Sequence, residues 1–81
     1  MDINRHVGQM LGVETARDLL ARNIRSLRAA RAWSQEALAL EAGLHRTFVA
    51  HVERGARNIS LNNVERIAAA FGVPISRLFE Q

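Results

Sequence analysis

Apolar residues recur at helical spacing through most of the chain, whereas residues 1–12 show no sustained period. From about position 13 onward they fall three or four residues apart, which predicts a first helix that ends near Ala32. Three further helices and one short final turn of helix follow, and no segment has the strict alternation of a strand. We therefore predict an all-α domain of five helices over residues 13–81, preceded by a flexible tail at 1–12. The expected buried stripes are Val13, Ala16, Leu20, Ile24 and Leu27 in the first helix and Leu61, Val64, Ile67, Ala68 and Phe71 in the fourth.

Residues that begin or end helices mark the boundaries between these segments. Ser34, His45 and Ser60 each stand where an N-cap is expected, and a hydroxyl there can accept a backbone N–H of the first turn. Gly43 and Gly72 each follow a predicted helix and suit the left-handed residue that ends one. The second helix is therefore predicted to end at Gly43, and the third runs from about His45 to Arg54.

The joint between the second and third helices has the spacing of a helix-turn-helix. A joint this short forces the two helices to cross at a large angle, and a close crossing needs a small residue at the contact. Ala39 lies four residues before Gly43, and Val49 and Val52 follow it by six and nine. A small residue, a glycine and two β-branched apolar residues at these intervals are typical of the motif.

The third helix has one face with no acidic residue. Phe48, Val49 and Val52 form its apolar stripe, so Phe48 is expected to pack in the core. Two arginines, an imidazole, a hydroxyl and a methyl occupy the other side, from Arg46, Thr47, Ala50, His51 and Arg54. Such a face suits a polyanion, although on an isolated helix an arginine is more often simply solvated.

Composition narrows the choice of partner only slightly. The 81 residues carry a formal net charge of +3, and all eleven basic residues are arginine, which fits phosphates and base edges better than lysine. Codon bias explains the absence of lysine equally well. The chain has no cysteine and no apolar run of membrane-spanning length, so we expect a cytoplasmic protein without a disulfide or a cysteine-based metal site.

From about Leu20 to Phe79, the sequence resembles the DNA-binding domain of the phage-repressor-like (Xre) transcription regulators. The segment that carries the resemblance is SQEALALEAGLHRTFVAHVERGARNISLNNVERIAAAFGVPISRLF. Within that family, RTFVAHVERGARNISL is most similar to the controller proteins of restriction-modification systems. The resemblance implies a five-helix bundle of the lambda-repressor-like type that binds double-stranded DNA. Ala32 stands where relatives usually have glycine, so its turn is expected to be slightly strained or rebuilt.

Docking of the third helix in the major groove assigns roles to individual residues. Helix-turn-helix proteins place the first residues of this helix at base edges, so Arg46 is the candidate for a bidentate contact to guanine. Thr47 and His51 lie on the same face, although relatives commonly have a small residue at the position of His51. By resemblance, Gln35 binds a phosphate through the start of the second helix. The expected DNA-binding residues are Gln35, Arg46, Thr47, His51, Arg57 and Asn58.

The resemblance also implies two structural features outside the DNA-binding face. Arg28 and Glu53 match positions that form a partly buried ion pair between the first and third helices of related repressors. Ile75, Leu78 and Phe79 form an apolar cluster in the region through which relatives dimerise. Burial within the monomer is the alternative for this cluster, but we expect a homodimer on a pseudo-palindromic operator.

The leading hypothesis is a sequence-specific transcription regulator that acts on its own promoter, and it could be a restriction-modification controller. An antitoxin or a phage-type repressor that autoregulates its operon is the nearest alternative, because these proteins share the domain. An adaptor that has lost DNA binding belongs to another class and predicts a neutral or acidic third helix. We expect no enzymatic activity, cofactor, small-molecule ligand or metal. His45 and His51 are six residues apart, about 240° around a helix, and cannot chelate one ion.

Overall fold

Four α-helices and one 3₁₀ helix make up the regular structure of the described residues. The computed structural model describes residues 15–56 and 58–81, so Val13 and the predicted tail at 1–12 lie outside it. The predicted all-α class is confirmed for this part of the chain, but the last of the five predicted helices is a 3₁₀ helix rather than an α-helix. The elements are α1 Ala16–Ala30, α2 Gln35–Ala42, α3 Arg46–Glu53, α4 Leu61–Phe71 and the 3₁₀ helix Ile75–Phe79.

Two of the three predicted N-caps make the expected hydrogen bond. The hydroxyl of Ser34 accepts the backbone N–H of Ala37 at 2.9 Å, and the hydroxyl of Ser60 accepts that of Asn63 at 3.2 Å. The prediction for His45 is wrong in this respect. His45 occupies the N-cap position of α3 in extended geometry, but its side chain makes no capping hydrogen bond.

The first helix begins with a capping box that was not predicted. Thr15 Oγ1 accepts the backbone N–H of Asp18 at 3.2 Å, and Asp18 Oδ2 accepts the backbone N–H of Thr15 at 3.3 Å. These reciprocal bonds satisfy two backbone donors at the helix end, and the Asp18 carboxylate suits the positive end of the helix dipole.

The predicted glycines end α2 and α4 in left-handed geometry, whereas the turn after α1 has no glycine. Gly43 and Gly72 adopt left-handed geometry at φ +70° and +69°, as predicted. Ala32, in the turn after α1, also has a positive φ of +54°. A β-carbon in this region clashes with the following carbonyl oxygen, so the expected strain in this turn is present.

A single apolar core joins all five elements. Each element contributes buried side chains: Leu20, Ile24 and Leu27 from α1; Leu38, Ala39 and Ala42 from α2; Val49 and Val52 from α3; Val64, Ile67, Ala68 and Phe71 from α4; and Leu78 from the 3₁₀ helix. Phe48 packs partly buried against this core, as predicted. Trp33 is also partly buried there, and its ring stacks on Phe71 with centroids 5.6 Å apart.

Ala16 and two leucines depart from their predicted environment, and Ala16 is exposed as the first residue of α1. Leu61 was expected in the core but is 78% exposed. It lies on the predicted apolar face, yet it is the first residue of α4, and the buried residues of that helix begin at Val64. Leu78 was assigned to a dimer interface but is fully buried within the chain, packed in the core beside α1 and α4.

Candidate nucleic-acid interface

The turn between α2 and α3 is closed by backbone hydrogen bonds that require the geometry of Gly43. The N–H of Leu44 donates to the carbonyl of Ala39 at 2.9 Å, a bond that spans the left-handed residue and ends the helix. Arg66 of α4 donates to the Gly43 carbonyl at 3.2 Å. Ala39 is 3% exposed at the crossing, so its small side chain lets the two helices approach closely. The pair therefore has the helix-turn-helix arrangement that the spacing predicts.

The third helix presents one of its faces to solvent. Val49 and Val52 are buried on the inner face together with Glu53. Arg46, Thr47 and Arg54 are exposed, and Ala50 and His51 are partly exposed. Because Glu53 is the only acid in α3 and points inward, the outward face carries no negative side chain. This face can bind a polyanion without repulsion from its own helix.

A polar cluster around Glu53 fixes α3 against α1 and α2. Arg28 Nε lies 2.7 Å from Glu53 Oε2, and Arg28 Nη2 lies 2.9 Å from Oε1. Gln35 Nε2, at the start of α2, donates to the same Oε1 at 3.1 Å. The hydrogen bonds that Arg28 donates to the Glu53 carboxylate raise the pKa of its guanidinium above the ordinary value, more than burial lowers it. Glu53 is 3% exposed, and three helices meet at its carboxylate.

Two more arginine contacts complete this junction. Arg28 Nη1 donates to the Trp33 carbonyl at 2.8 Å, so the same guanidinium also holds the turn after α1. Arg25 donates to the backbone carbonyl of Glu53 at the end of α3. These contacts bind the Glu53 side chain and also its backbone carbonyl. They therefore restrict sliding and rotation of α3 on α1.

Only some of the residues predicted to bind DNA lie together on the outward face of α3. Arg46, Thr47 and His51 share the outward face of α3, and Asn58 is exposed in the connection that follows. Arg57 lies outside the described residues. Gln35 is partly buried, and one of its two amide hydrogens is used by Glu53, which leaves the second to reach a phosphate.

The predicted dimer residues do not form one exposed patch. Ile75 is 43% exposed and Phe79 is partly exposed, whereas Leu78 is enclosed by the core. Phe79 also lines an open cleft of about 280 Å³ with Leu20 and Leu61. Leu61, the first residue of α4, lines the same cleft as Phe79, whereas Ile75 does not.

No group of three or more histidine or acidic side chains is arranged to hold a metal ion in residues 15–56 and 58–81. No helix in this part of the chain is long and apolar enough to cross a bilayer.

Comparison with protein families identifies the domain. A family model described as helix-turn-helix (HTH_3) matches residues 24–78, which include all of α2, α3 and α4. The chain belongs to this helix-turn-helix family. The match includes Arg28 and Glu53, so the ion pair between α1 and α3 lies within the family domain.

Similar helix-turn-helix proteins include regulators and controllers. The chain is 50% identical over 62 residues to a hypothetical transcription factor of Neisseria meningitidis, an alignment that covers 76% of this chain and 58% of that protein. It is 47% identical over 56 residues to the control protein C.BamHI of Bacillus amyloliquefaciens, with 68% and 69% covered. The crystal structure of the restriction-modification controller C.AhdI of Aeromonas hydrophila superposes with a TM-score of 0.75 at 41% identity, covering 78% of this chain and 96% of that one.

Proposed function

We propose that this protein is a sequence-specific regulator of transcription that binds double-stranded DNA through α3. The observation that supports this most directly is the outward face of α3, which is basic, has no acid and is held rigidly by the Arg28–Glu53 pair. In this docking, Arg46 contacts base edges in the major groove, while Gln35 and Asn58 contact the backbone. A basic recognition face argues against the adaptor hypothesis.

The protein's biological role is that of a restriction-modification controller that regulates its own promoter. The similarity to C.BamHI and C.AhdI supports this role over that of an antitoxin or a phage repressor. The protein acts as a homodimer on a pseudo-palindromic operator in the cytoplasm, at the nucleoid. Ile75 and Phe79 supply the contact between subunits, because they are the exposed apolar residues of the 3₁₀ helix.

Fluorescence anisotropy of the full chain on a duplex from upstream of its own gene tests this proposal. A scrambled duplex of the same length is the control, and both are titrated at several salt concentrations. We expect tight, salt-sensitive binding to the native duplex and affinity about 10- to 100-fold lower in Arg46→Ala, from loss of one bidentate base contact. Arg17→Ala removes the same charge from α1 and is expected to change affinity much less. Equal binding to both duplexes would contradict specific autoregulation, and no binding at low salt would favour the adaptor.

A further inference from the structure

Asn23 on α1 is a buried amide that the DNA-binding face does not use. Its side chain is 7% exposed, although asparagine is seldom found in a core. The amide nitrogen donates to the carbonyl of Leu78 at 3.0 Å and to that of Glu80 at 2.8 Å. The amide oxygen accepts from Arg77 Nη1 at 3.3 Å. All of these partners belong to the C-terminal segment 77–80, so one side chain binds that segment at three points.

The C-terminal segment depends on such contacts for its position. The 3₁₀ helix Ile75–Phe79 has five residues, and its N-cap residue, Pro74, makes no side-chain capping bond. A 3₁₀ helix this short is not stable by itself. Burial of Leu78 attaches the segment to the core, but apolar contact is not directional. The hydrogen bonds from Asn23 to two backbone carbonyls fix its register along α1, because hydrogen bonds require a defined distance and angle.

The stretch of α1 that holds this segment also holds the recognition helix. Arg25 and Arg28, which bind Glu53 of α3, follow Asn23 by two and five residues. At 1.5 Å per residue, these anchor points lie within about 8 Å of one another along the axis of α1. The position of the 3₁₀ helix relative to α3 is therefore set through a short, rigid part of one helix.

We propose that Asn23 is a positioning residue for dimerisation, which fixes Ile75 and Phe79 relative to α3 and so sets the spacing between the two recognition helices. This role rests on the homodimer proposed above. Half-sites about one helical turn apart require the two copies of α3 to be about 34 Å apart. Over that distance, a small rotation of the 3₁₀ helix Ile75–Phe79 produces a larger displacement of one α3 relative to the other. Loss of the Asn23 bonds therefore weakens dimerisation and relaxes the preference for one half-site spacing.

Sedimentation equilibrium of the full chain tests the effect on dimerisation. Asn23→Asp keeps the shape but places one carboxylate oxygen against the two carbonyls, and Asn23→Leu removes every hydrogen bond that the Asn23 side chain makes. We expect each variant to raise the dimer dissociation constant at least about tenfold. Val52→Ala is the matched control, because it destabilises the core from α3, and α3 has no residue that is hydrogen-bonded to the Asn23 side chain. It should lower the melting temperature and leave the dissociation constant unchanged.

A second measurement uses an operator selected from random duplexes, with its half-sites then moved apart or together by one base pair. Wild type should bind the shifted duplexes at least about tenfold more weakly, and the Asn23 variants should discriminate less. Two results would overturn the role of Asn23 and leave the proposed dimer intact. In the first, the Asn23 variants dimerise like wild type. In the second, their dimerisation weakens no more than that of Val52→Ala at an equal loss of melting temperature. A wild-type protein that stays monomeric at its highest soluble concentration, with Ile75 and Phe79 intact, would overturn the dimer itself.

Discussion

Arg28 and Glu53 form a bidentate ion pair between α1 and α3, with Nε–Oε2 and Nη2–Oε1 distances of 2.7 and 2.9 Å. The two partners differ in burial, since the arginine side chain is 21% exposed and the glutamate 3%. Gln35 adds a third hydrogen bond to the carboxylate. The pair therefore supports α3 from behind, while the outward face of α3 stays free of the charges of the pair.

The first prediction follows from the unequal burial of the pair. Arg28→Met keeps an apolar stem but strands the Glu53 carboxylate, and we expect it to lower the free energy of unfolding by about 3 kcal/mol. Glu53→Gln should cost less, because Arg28 stays partly solvated and keeps its bond to the Trp33 carbonyl. Urea denaturation followed by Trp33 fluorescence measures both. Glu80→Gln disrupts the exposed pair with Arg77, 3.7 Å apart, and should cost under about 1 kcal/mol. Equal costs in all three variants would contradict the argument.

Local sequence patterns predicted the helices because periodicity and capping act within one or two turns. Ser34, Gly43 and Ser60 mark boundaries by bonds to residues three or four positions away, so their roles can be read from the sequence. The acid-free face of α3 follows from the same period. These features are local, and the structure reproduces them.

Apart from the Arg28–Glu53 pair, which only the family resemblance implied, features set by distant contacts were missed or misplaced. Asn23 bonds to residues more than 50 positions away, and its local pattern does not distinguish it from a surface residue. Leu61 follows the apolar period of α4 but lies at the helix end, where nothing covers it. The prediction for Leu78 followed the dimer region of related proteins, and a five-residue segment has too little apolar period to show that this side chain faces the core.

The second prediction concerns the strained turn after α1. Ala32 has φ +54°, so Ala32→Gly should stabilise the protein by about 0.5–1 kcal/mol, because relief of the left-handed strain exceeds the entropic cost of glycine. For a domain of this size, the melting temperature should rise by roughly 2–8 °C. Ala29→Gly, at an exposed position inside α1, is the same chemical change and should destabilise by about 0.5–1 kcal/mol. A melting temperature lowered by both changes would show that the turn is not strained.

The third prediction concerns the uncapped start of α3. His45 is exposed at the N-cap without a side-chain bond, so His45→Asn should stabilise the protein by about 0.5–1 kcal/mol by accepting a first-turn N–H. Ser34→Ala, which removes the capping bond of α2, should destabilise by about 1 kcal/mol. Thermal denaturation by circular dichroism measures both. No gain from His45→Asn would mean that the first-turn donors are already satisfied.

The fourth prediction separates base contacts from backbone contacts. On a selected operator, Arg46→Ala should lose about 1–3 kcal/mol of discrimination at one base pair and leave the preference at the other positions unchanged. Asn58→Ala, in the connection after α3, should weaken binding to all operator variants by a similar factor, because a backbone contact carries no sequence information. Anisotropy titrations on a set of single-base-pair operator variants give both profiles. A uniform loss in Arg46→Ala would reassign that residue to a phosphate.

The fifth prediction tests which apolar residues join two copies of the chain. Ile75→Ser and Phe79→Ser should each raise the dimer dissociation constant about tenfold, since burial of one large apolar side chain contributes roughly 1.5–3 kcal/mol and only part of each is exposed. Leu40→Ser is the matched control, because Leu40 is 81% exposed on α2 and is not part of the proposed contact. Leu78→Ser should instead unfold the protein, because this side chain fills the core. Dimerisation that survives both 3₁₀-helix changes but is lost in Leu40→Ser would move the interface to α2.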